Sequence, residues 1–199
     1  MCLPQYYNVN FYITNAFRSY HFDPQRKMIN KSKFDLSALV LLVPDLEDII
    51  GPYRKKYTND GAMGMPCHIT ILYPFMSYIE WNDNIFDLLA EISLLIKPIS
   101  FRFNGLNYFE NKNVLFLEPY PQDEILHVIQ HISKAFPMFP PYGGDIPMSE
   151  LRAHITIAAE RSVNKLKQIE KDIMNDSKFI NSSSSVVENL TMVIKRKHQ

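Results

Sequence analysis

The chain has 199 residues, of which 46% are hydrophobic and 13% aromatic. This composition is typical of a globular protein with one domain or two similar halves, and it excludes a disordered chain. Lys+Arg and Asp+Glu both number 21, so no overall charge favours binding to long nucleic acids or anionic membranes. Cys2 and Cys67 are too few for a disulfide framework or a thiolate zinc site. Since there is no signal-peptide pattern and no apolar run of about 18 residues, we expect a cytoplasmic protein without a membrane segment.

The predicted elements follow an N-terminal arm, 1–33, which is rich in aromatic residues. We expect this arm to pack on the domain or on a partner, and a frayed terminus is the alternative. The first half of the remaining chain then alternates strands and helices. Its elements are a strand at 37–44, a helix at 45–57, a strand at 67–75, a helix at 84–96 and a strand at 99–109.

The second half repeats this order of elements. They are a strand at 113–120, a helix at 121–136, a strand at 153–160, a helix at 162–176 and a strand at 184–195. The repetition predicts an internal duplication with two βαβαβ lobes, at about 34–110 and 111–199, within one α+β domain at 34–199. The alternative is an α+β domain in which the repeats are coincidental.

The tetrapeptide HITI occurs in both halves, at 68–71 and 154–157. In a strand, residues i and i+2 face the same side about 6.6 Å apart, while the residue between them faces the other side. The pattern therefore places a histidine and a threonine on one face of each strand and isoleucines on the other. A lone histidine of this kind is most simply a core residue with a hydrogen-bond partner. The second copy favours a shared cleft.

Two imidazoles and two hydroxyls around one cleft suit attack on a phosphoester. Histidines with ordinary pKa values near 6.5 can hold different protonation states at neutral pH, so one serves as general base and the other as general acid. Threonine hydroxyls can donate hydrogen bonds to phosphate oxygens. This chemistry requires no metal and no cofactor.

The paired His-x-Thr motifs, the first followed by LYPF, resemble the two-histidine phosphoesterase superfamily of 2′-5′ RNA ligases and cyclic nucleotide phosphodiesterases. The resemblance extends over residues 36–196. It implies a duplicated fold whose lobes are related by a pseudo-twofold axis, with their sheets flanking a central cleft. It also implies that His68 and His154 are catalytic and that Thr70 and Thr156 bind phosphate. The implied substrates are 2′,3′-cyclic phosphates or 2′-5′ linkages of nucleotides or RNA.

Four further residues are candidates for substrate binding. Arg152 lies two residues before His154 on the same predicted face and can clamp a phosphate, although a solvated arginine is an equal alternative. Tyr73, Phe75 and Tyr142 lie near the motifs and can stack on a base. Packing in the core or anchoring of a loop is the commoner role for such aromatic residues.

Two other groups of residues have a simpler interpretation. His127 and His131, in HVIQH, have metal-ligand spacing on a helix but lack a glutamate or cysteine companion, so we expect a solvated pair and no metal site. The cations of RKK, 54–56, end the first helix, where they offset the helix dipole, and we expect them on a solvated face.

The leading functional hypothesis is a metal-independent phosphodiesterase with a nucleotide or RNA substrate. A second hypothesis is a nucleotide- or RNA-binding module of the same fold that does no chemistry, and a third is a zinc hydrolase using His127 and His131. We expect a monomer.

Overall fold

The computed structural model describes residues 9–10, 37–77, 80–109, 113–181 and 184–194. The strands and helices in these ranges are β1 Val9–Asn10, β2 Ser37–Leu42, α1 Glu47–Tyr57, α2 Asn59–Ala62, β3 His68–Leu72, α3 Asp83–Leu95, β4 Ile99–Phe109, β5 Val114–Tyr120, α4 Asp123–Ala135, β6 Ile155–Ala159, α5 Val163–Met174, α6 Ser177–Asn181, β7 Ser184–Val187 and β8 Leu190–Ile194. The aromatic residues predicted to anchor the N-terminal arm lie outside the described residues.

The helices α3 and α5 start at the capping residues that the sequence predicts. Asn82 caps α3 by accepting a hydrogen bond from the Ile85 amide at 3.3 Å. Ser162 caps α5 in the same way through the Lys165 amide at 3.4 Å. Each side chain adds an acceptor for an amide of the first helical turn, beside the backbone carbonyl of the capping residue, and so supports the start of the helix there.

The strands form two antiparallel four-stranded sheets with the orders β1-β8-β2-β3 and β6-β5-β4-β7. This mixed arrangement of helices and two antiparallel sheets confirms the predicted fold class. Each sheet has a HITI strand at one edge, and the first strand of the same half lies next to it. β1 adds two residues of the N-terminal arm to the first sheet by pairing with β8.

The last strand of each half lies in the sheet of the other half. β4 pairs with β5, which follows it along the chain after a short connection, as consecutive antiparallel strands commonly do. β8 pairs with β2 from Ser37↔Ile194 to Leu41↔Leu190. The predicted lobe boundary near residue 110 therefore does not separate the two sheets.

The end of the chain also differs from the prediction of one strand at 184–195. Glu188 and Asn189 separate β7 from β8, and the two strands join different sheets. The single-strand prediction was wrong because a continuous run of strand-forming residues does not reveal a change of sheet.

The first helix of each half also crosses to the other half. α1 packs against β6, and α4 packs against β3. The buried residues of α4 follow helical spacing, as expected for a helix with one face on the core: Ile125, Val128, Ile129 and Ile132. β3 and β6 are themselves in contact, so the two HITI strands meet edge to edge. None of the helices in the described ranges is long and apolar enough to span a membrane.

A tight turn joins α1 to α2. The Thr58 hydroxyl donates to the Arg54 carbonyl at 2.9 Å and accepts from the Gly61 amide at 3.0 Å. A Cβ atom on Gly61 would lie 2.5 Å from the Arg54 carbonyl carbon and oxygen, far inside van der Waals contact. Only glycine lets α2 approach the backbone of α1 this closely.

We predict that Gly61→Ala lowers the free energy of unfolding by about 1–3 kcal/mol, because the added methyl group forces the two backbones apart. The measurement is chemical denaturation. Ala62→Ser, at the exposed neighbouring position, is the matched control and should change stability by less than about 0.5 kcal/mol. Equal stability of Gly61→Ala and the wild type would contradict the close approach.

Candidate active site

Both HITI segments alternate in the way the sequence predicts. Ile69 is 0% exposed and Ile71 is 1% exposed, while His68 and Thr70 on the other face are only partly buried. The second segment has the same pattern, with Ile155 and Ile157 fully buried and His154 and Thr156 partly buried. The isoleucines anchor each strand in the core and leave the polar side chains facing outward.

Each motif histidine is held by a backbone carbonyl two residues before it. His68 Nδ1 lies 2.7 Å from the Pro66 oxygen, and His154 Nδ1 lies 2.8 Å from the Arg152 oxygen. A carbonyl oxygen can only accept a hydrogen bond, so Nδ1 carries the proton in both rings. In the neutral form, the lone pair is therefore on Nε2 of both histidines.

The residue before each histidine is fixed by a side chain at the start of the crossing helix. The Cys67 amide donates to Glu47 Oε2 at 2.8 Å, and the Ala153 amide donates to Gln122 Oε1 at 2.9 Å. These matched contacts tie each HITI strand to the start of the first helix of its own half. Burial raises the pKa of the Cys67 thiol, so this cysteine stays protonated.

Arg54 lies buried between the two HITI strands, with 1% of its side chain exposed. Its Nη1 donates to the Thr156 carbonyl of β6, and its Nη2 donates to Asp60 Oδ2 at 2.8 Å. Nη2 also lies 3.3 Å from the Pro66 carbonyl and 3.5 Å from His68 Nδ1. One guanidinium thus contacts both motif strands and the short helix α2.

The surroundings of His68 favour its neutral form. Burial, with the Arg54 cation and then His154 adding to it, lowers the pKa of His68 to about 4, against opposing effects of the Pro66 carbonyl and Asp60. Although partial burial opposes it, the Arg54 guanidinium and the Thr58 hydroxyl hold the pKa of Asp60 below its usual value. At neutral pH, His68 is therefore uncharged and Asp60 is ionised.

Tyr142 connects elements of the two motifs. Its amide donates to the Tyr73 carbonyl at 2.6 Å, and its ring lies nearly parallel to that of His154, 6.3 Å away between centroids. Burial raises the pKa of Tyr142 to about 12, opposed by a hydrogen bond from Thr70. The backbone of Tyr142 is in the left-handed region at φ 54°, a strained conformation for a non-glycine residue. These contacts bring Thr70 and His154 into one site.

Arg152 lies beside this site, and it is not fully solvated. It pairs with Glu118 at 2.5 Å and sits over the Phe116 ring, with 45% of its side chain exposed. Glu118 is buried and also accepts from Asn107 at 2.6 Å and from Gln122 at 2.8 Å. The carboxylate holds one edge of the guanidinium and leaves part of it accessible.

The prediction that Phe75 contacts substrate is wrong. Phe75 is 0% exposed and packs edge-on against Phe136 and Phe139 at centroid distances of 5.1 and 5.2 Å. Phe75 has the same parity as Ile69 and Ile71, so strand alternation itself favours the core, and the predicted stacking rested only on its nearness to the motif. Tyr73, in contrast, is 44% exposed and accessible to a ligand.

His127 and His131 are exposed on α4 and do not belong to this site. They line a separate groove of about 400 Å³ between α3 and α4, together with Ile92, Ile96, Lys97, Ile99, Glu124 and Val128. Within the described ranges, no group of three or more His, Cys, Asp or Glu side chains is placed to hold a metal ion.

Arg54 is the site residue that the sequence reasoning missed. We expected it on a solvated face with Lys55 and Lys56, and the structure corrects this. The signal was in the helical spacing: Arg54 is four residues after Ile50 and three after Gly51, both buried, so it lies on the inner face of α1.

The chain is similar to known proteins in sequence family and in fold. The family model of the 2′-5′ RNA ligase superfamily matches residues 42–199. No curated protein gives a significant match. Among solved structures, the chain is similar to the crystal structure of E. coli LigT complexed with 3′-AMP, at 13% sequence identity and a TM-score of 0.44. That similarity covers 65% of this chain and 76% of LigT.

We predict that stability falls as the pH is lowered from about 6.5 to about 4. The unfolded chain takes up a proton on His68 near its ordinary pKa of about 6.5, whereas the pKa of the folded protein is about 4. A difference of this size lowers the free energy of unfolding by about 3 kcal/mol across that range. The measurement is chemical denaturation at pH 7.5 and pH 4.5.

His68→Gln should remove this part of the pH dependence, because glutamine does not titrate. His127→Gln replaces an exposed histidine outside the site and is the control. If His68→Gln keeps the full wild-type pH dependence, His68 is not the group that the folded protein holds neutral.

Proposed function

Because the chain belongs to the 2′-5′ RNA ligase superfamily, we propose that it is a metal-independent phosphodiesterase acting on 2′,3′-cyclic phosphates or 2′-5′ phosphodiesters of nucleotides or RNA. One observation carries this proposal. Two histidines from matching edge strands are oriented in the same way, each with Nδ1 bound to a carbonyl, and both lie in one site.

His68 is the general base in this proposal. It is neutral at neutral pH, and its Nε2 lone pair is available because Nδ1 holds the proton. A pKa of about 4 makes a weak base in the free protein. A bound phosphate adds negative charge to the cleft and raises the pKa of His68 towards the working pH.

His154 is the general acid and enters the reaction protonated. In hydrolysis of a cyclic phosphate, His68 Nε2 takes a proton from water while the water oxygen forms a bond to phosphorus. The bond from phosphorus to the leaving ribose oxygen breaks, and His154 Nε2 gives that oxygen its proton. The product is a phosphomonoester. At the end of the step, His68 has gained a proton from water and His154 has lost one to the leaving oxygen.

The threonines and Arg152 bind the phosphate. The Thr70 and Thr156 hydroxyls lie on the same strand faces as the histidines and donate to nonbridging oxygens, where negative charge grows in the transition state. Arg152 adds a positive charge through the part of its guanidinium that Glu118 leaves accessible.

Two aromatic residues are proposed contacts for the base. Tyr73 is 44% exposed, and Tyr142 already packs beside His154. Either ring offers the apolar face on which a nucleobase stacks.

The test of the substrate class is a turnover screen with 2′,3′-cyclic nucleotides, RNA ending in a cyclic phosphate and 2′-5′-linked oligonucleotides, all in EDTA. Phosphorus NMR of the products identifies which ribose–phosphate bond has broken. Product formation in EDTA supports the proposal. Tight binding of a cyclic nucleotide without product after long incubation would instead favour a binding module of the same fold.

We predict that His68→Ala and His154→Ala each lower kcat by about 100- to 10,000-fold, because each removes a proton-transfer group. His127→Ala, which removes an exposed histidine from α4, should keep wild-type activity. Thermal denaturation confirms that the variants are folded. Full activity in the His68→Ala/His154→Ala double variant would disprove the mechanism.

We predict that the acidic limb of the kcat/KM pH profile lies near pH 4, because this parameter reports the pKa of the free base and that of His68 is about 4. The acidic limb of kcat reports the substrate complex and should lie at higher pH, since the bound phosphate favours the protonated imidazole. Steady-state rates from pH 3.5 to pH 9 test both. An acidic limb of kcat/KM at pH 6.5 would assign the base to a different group.

A further inference from the structure

The two halves of the site match in backbone and differ in charge. The matched contacts of Glu47 and Gln122 with the amides before each histidine give an offset of 75 residues, which pairs Arg54 with the buried Ile129. Both helices pack on the motif strand of the opposite half. Only the first of them carries a cation at this position, so the environment of the two histidines cannot be equal.

Arg54 joins parts of the site that are far apart in the sequence. Its Nη1 holds a carbonyl of β6, at Thr156, and Nη2 lies against the segment leading into β3, at Pro66 and His68. β6 is an edge strand, so the Thr156 carbonyl is accessible to a side chain. The planar guanidinium holds its donors in fixed directions, so it fixes the spacing of the two strands. It also places a positive charge beside them.

We propose that Arg54 is a positioning residue that holds the two HITI strands together and makes His68, and not His154, the general base. The catalytic meaning of this assignment depends on the proposed function. The contacts of Arg54 with both strands and the lowered pKa of His68 are properties of the fold and do not depend on the reaction.

The charges facing His68 come from three elements. α1 supplies the Arg54 cation at 3.5 Å from Nδ1, α2 supplies the Asp60 carboxylate, and the other motif supplies His154. Cys67, the preceding residue, stays neutral, and the buried face of α4 is apolar. Arg54 and His154 oppose protonation of His68, while Asp60 favours it.

The cation nearest the second motif has a different setting. Arg152 is 45% exposed and pairs with the buried Glu118, so its charge is largely balanced within that half. The Asp60 partner of Arg54 is 38% exposed, whereas Arg54 itself is buried. The interaction between the Arg54 charge and the first motif therefore passes through the protein interior, where solvent screens it less.

The experiment is an NMR titration of the imidazole Hε1 resonances of His68 and His154 in the substrate-free protein. Variants are Arg54→Gln, which removes the charge, and Arg54→Lys, which keeps it. Lys55→Gln removes an exposed cation from the same helix and is the matched control.

In Arg54→Gln, we expect the midpoint of His68 to rise by about one pH unit or more, with a smaller change at His154. Arg54→Lys should keep the His68 midpoint close to that of the wild type, and Lys55→Gln should move neither. An unchanged His68 midpoint in Arg54→Gln overturns the proposal, as does an equal shift of both rings.

Asp60→Asn provides a second variant in case Arg54→Gln does not fold. Asp60 favours protonation of His68, so this change should lower the midpoint, opposite in sign to Arg54→Gln. A rise or no change in Asp60→Asn contradicts the charge arrangement. The asparagine side chain keeps an oxygen that can accept from Arg54 Nη2, so this variant removes the negative charge while a hydrogen bond to the buried guanidinium can persist.

Activity separates the two proposals. If the protein is a phosphodiesterase, the acidic limb of kcat/KM in Arg54→Gln follows the His68 midpoint to higher pH, while the Lys55→Gln limb does not move. If the NMR midpoints shift as expected and no substrate is turned over, the electrostatic role of Arg54 stands and the proposed function fails.

Discussion

The two halves of the chain exchange strands between the sheets. The first strand of each half pairs with the last strand of the other half, β2 with β8 and β5 with β4. The remaining side of each first strand pairs with the HITI strand of the same half. Both HITI strands are thereby left at sheet edges, where they contact each other. An edge strand keeps backbone groups available outside the ladder, and this arrangement uses one of them, the Thr156 carbonyl, to bind Arg54.

A symmetric backbone with unequal charges suits a reaction that needs an acid and a base. Both imidazoles have the same Nδ1 contact, so geometry alone would leave their roles interchangeable. Arg54 breaks this equivalence at the cost of burying a charge. Asp60 and backbone carbonyls offset that cost, since a buried guanidinium is tolerated only when it is paired and hydrogen-bonded.

The parts of the site that follow from local periodicity could be predicted from the sequence. Strand alternation placed His68 and Thr70 opposite Ile69 and Ile71, because a strand with one face on the core leaves little choice. The same alternation places Phe75 with these isoleucines, but its nearness to the motif suggested a contact with a base, and the structure shows it in the core. Arg54 was accessible to the same kind of reasoning, through its spacing from Ile50, but the adjacent lysines suggested a solvated face.

The exchange of strands between the sheets could not be predicted from local sequence patterns, because the residues of β4 and β8 do not indicate which sheet each strand joins. Pairing is decided by tertiary contacts between residues far apart in the chain, and the repeat in the sequence suggested two self-contained halves. The same limit applies to the approach of Tyr142 to Thr70 and His154, which depends on how a loop of the second half lies over the first motif.

The pairing of β2 with β8 also sets the order in which the molecule can be completed during synthesis. β4 and β5 can form their hairpin once residue 120 has left the ribosome, since they are consecutive. β2 is made much earlier, yet its partner residues run from Leu190 to Ile194, so this side of it stays open until the last described strand emerges. The first sheet is therefore the later of the two to be completed, because one side of β2 pairs early with β3 while the other side waits for β8.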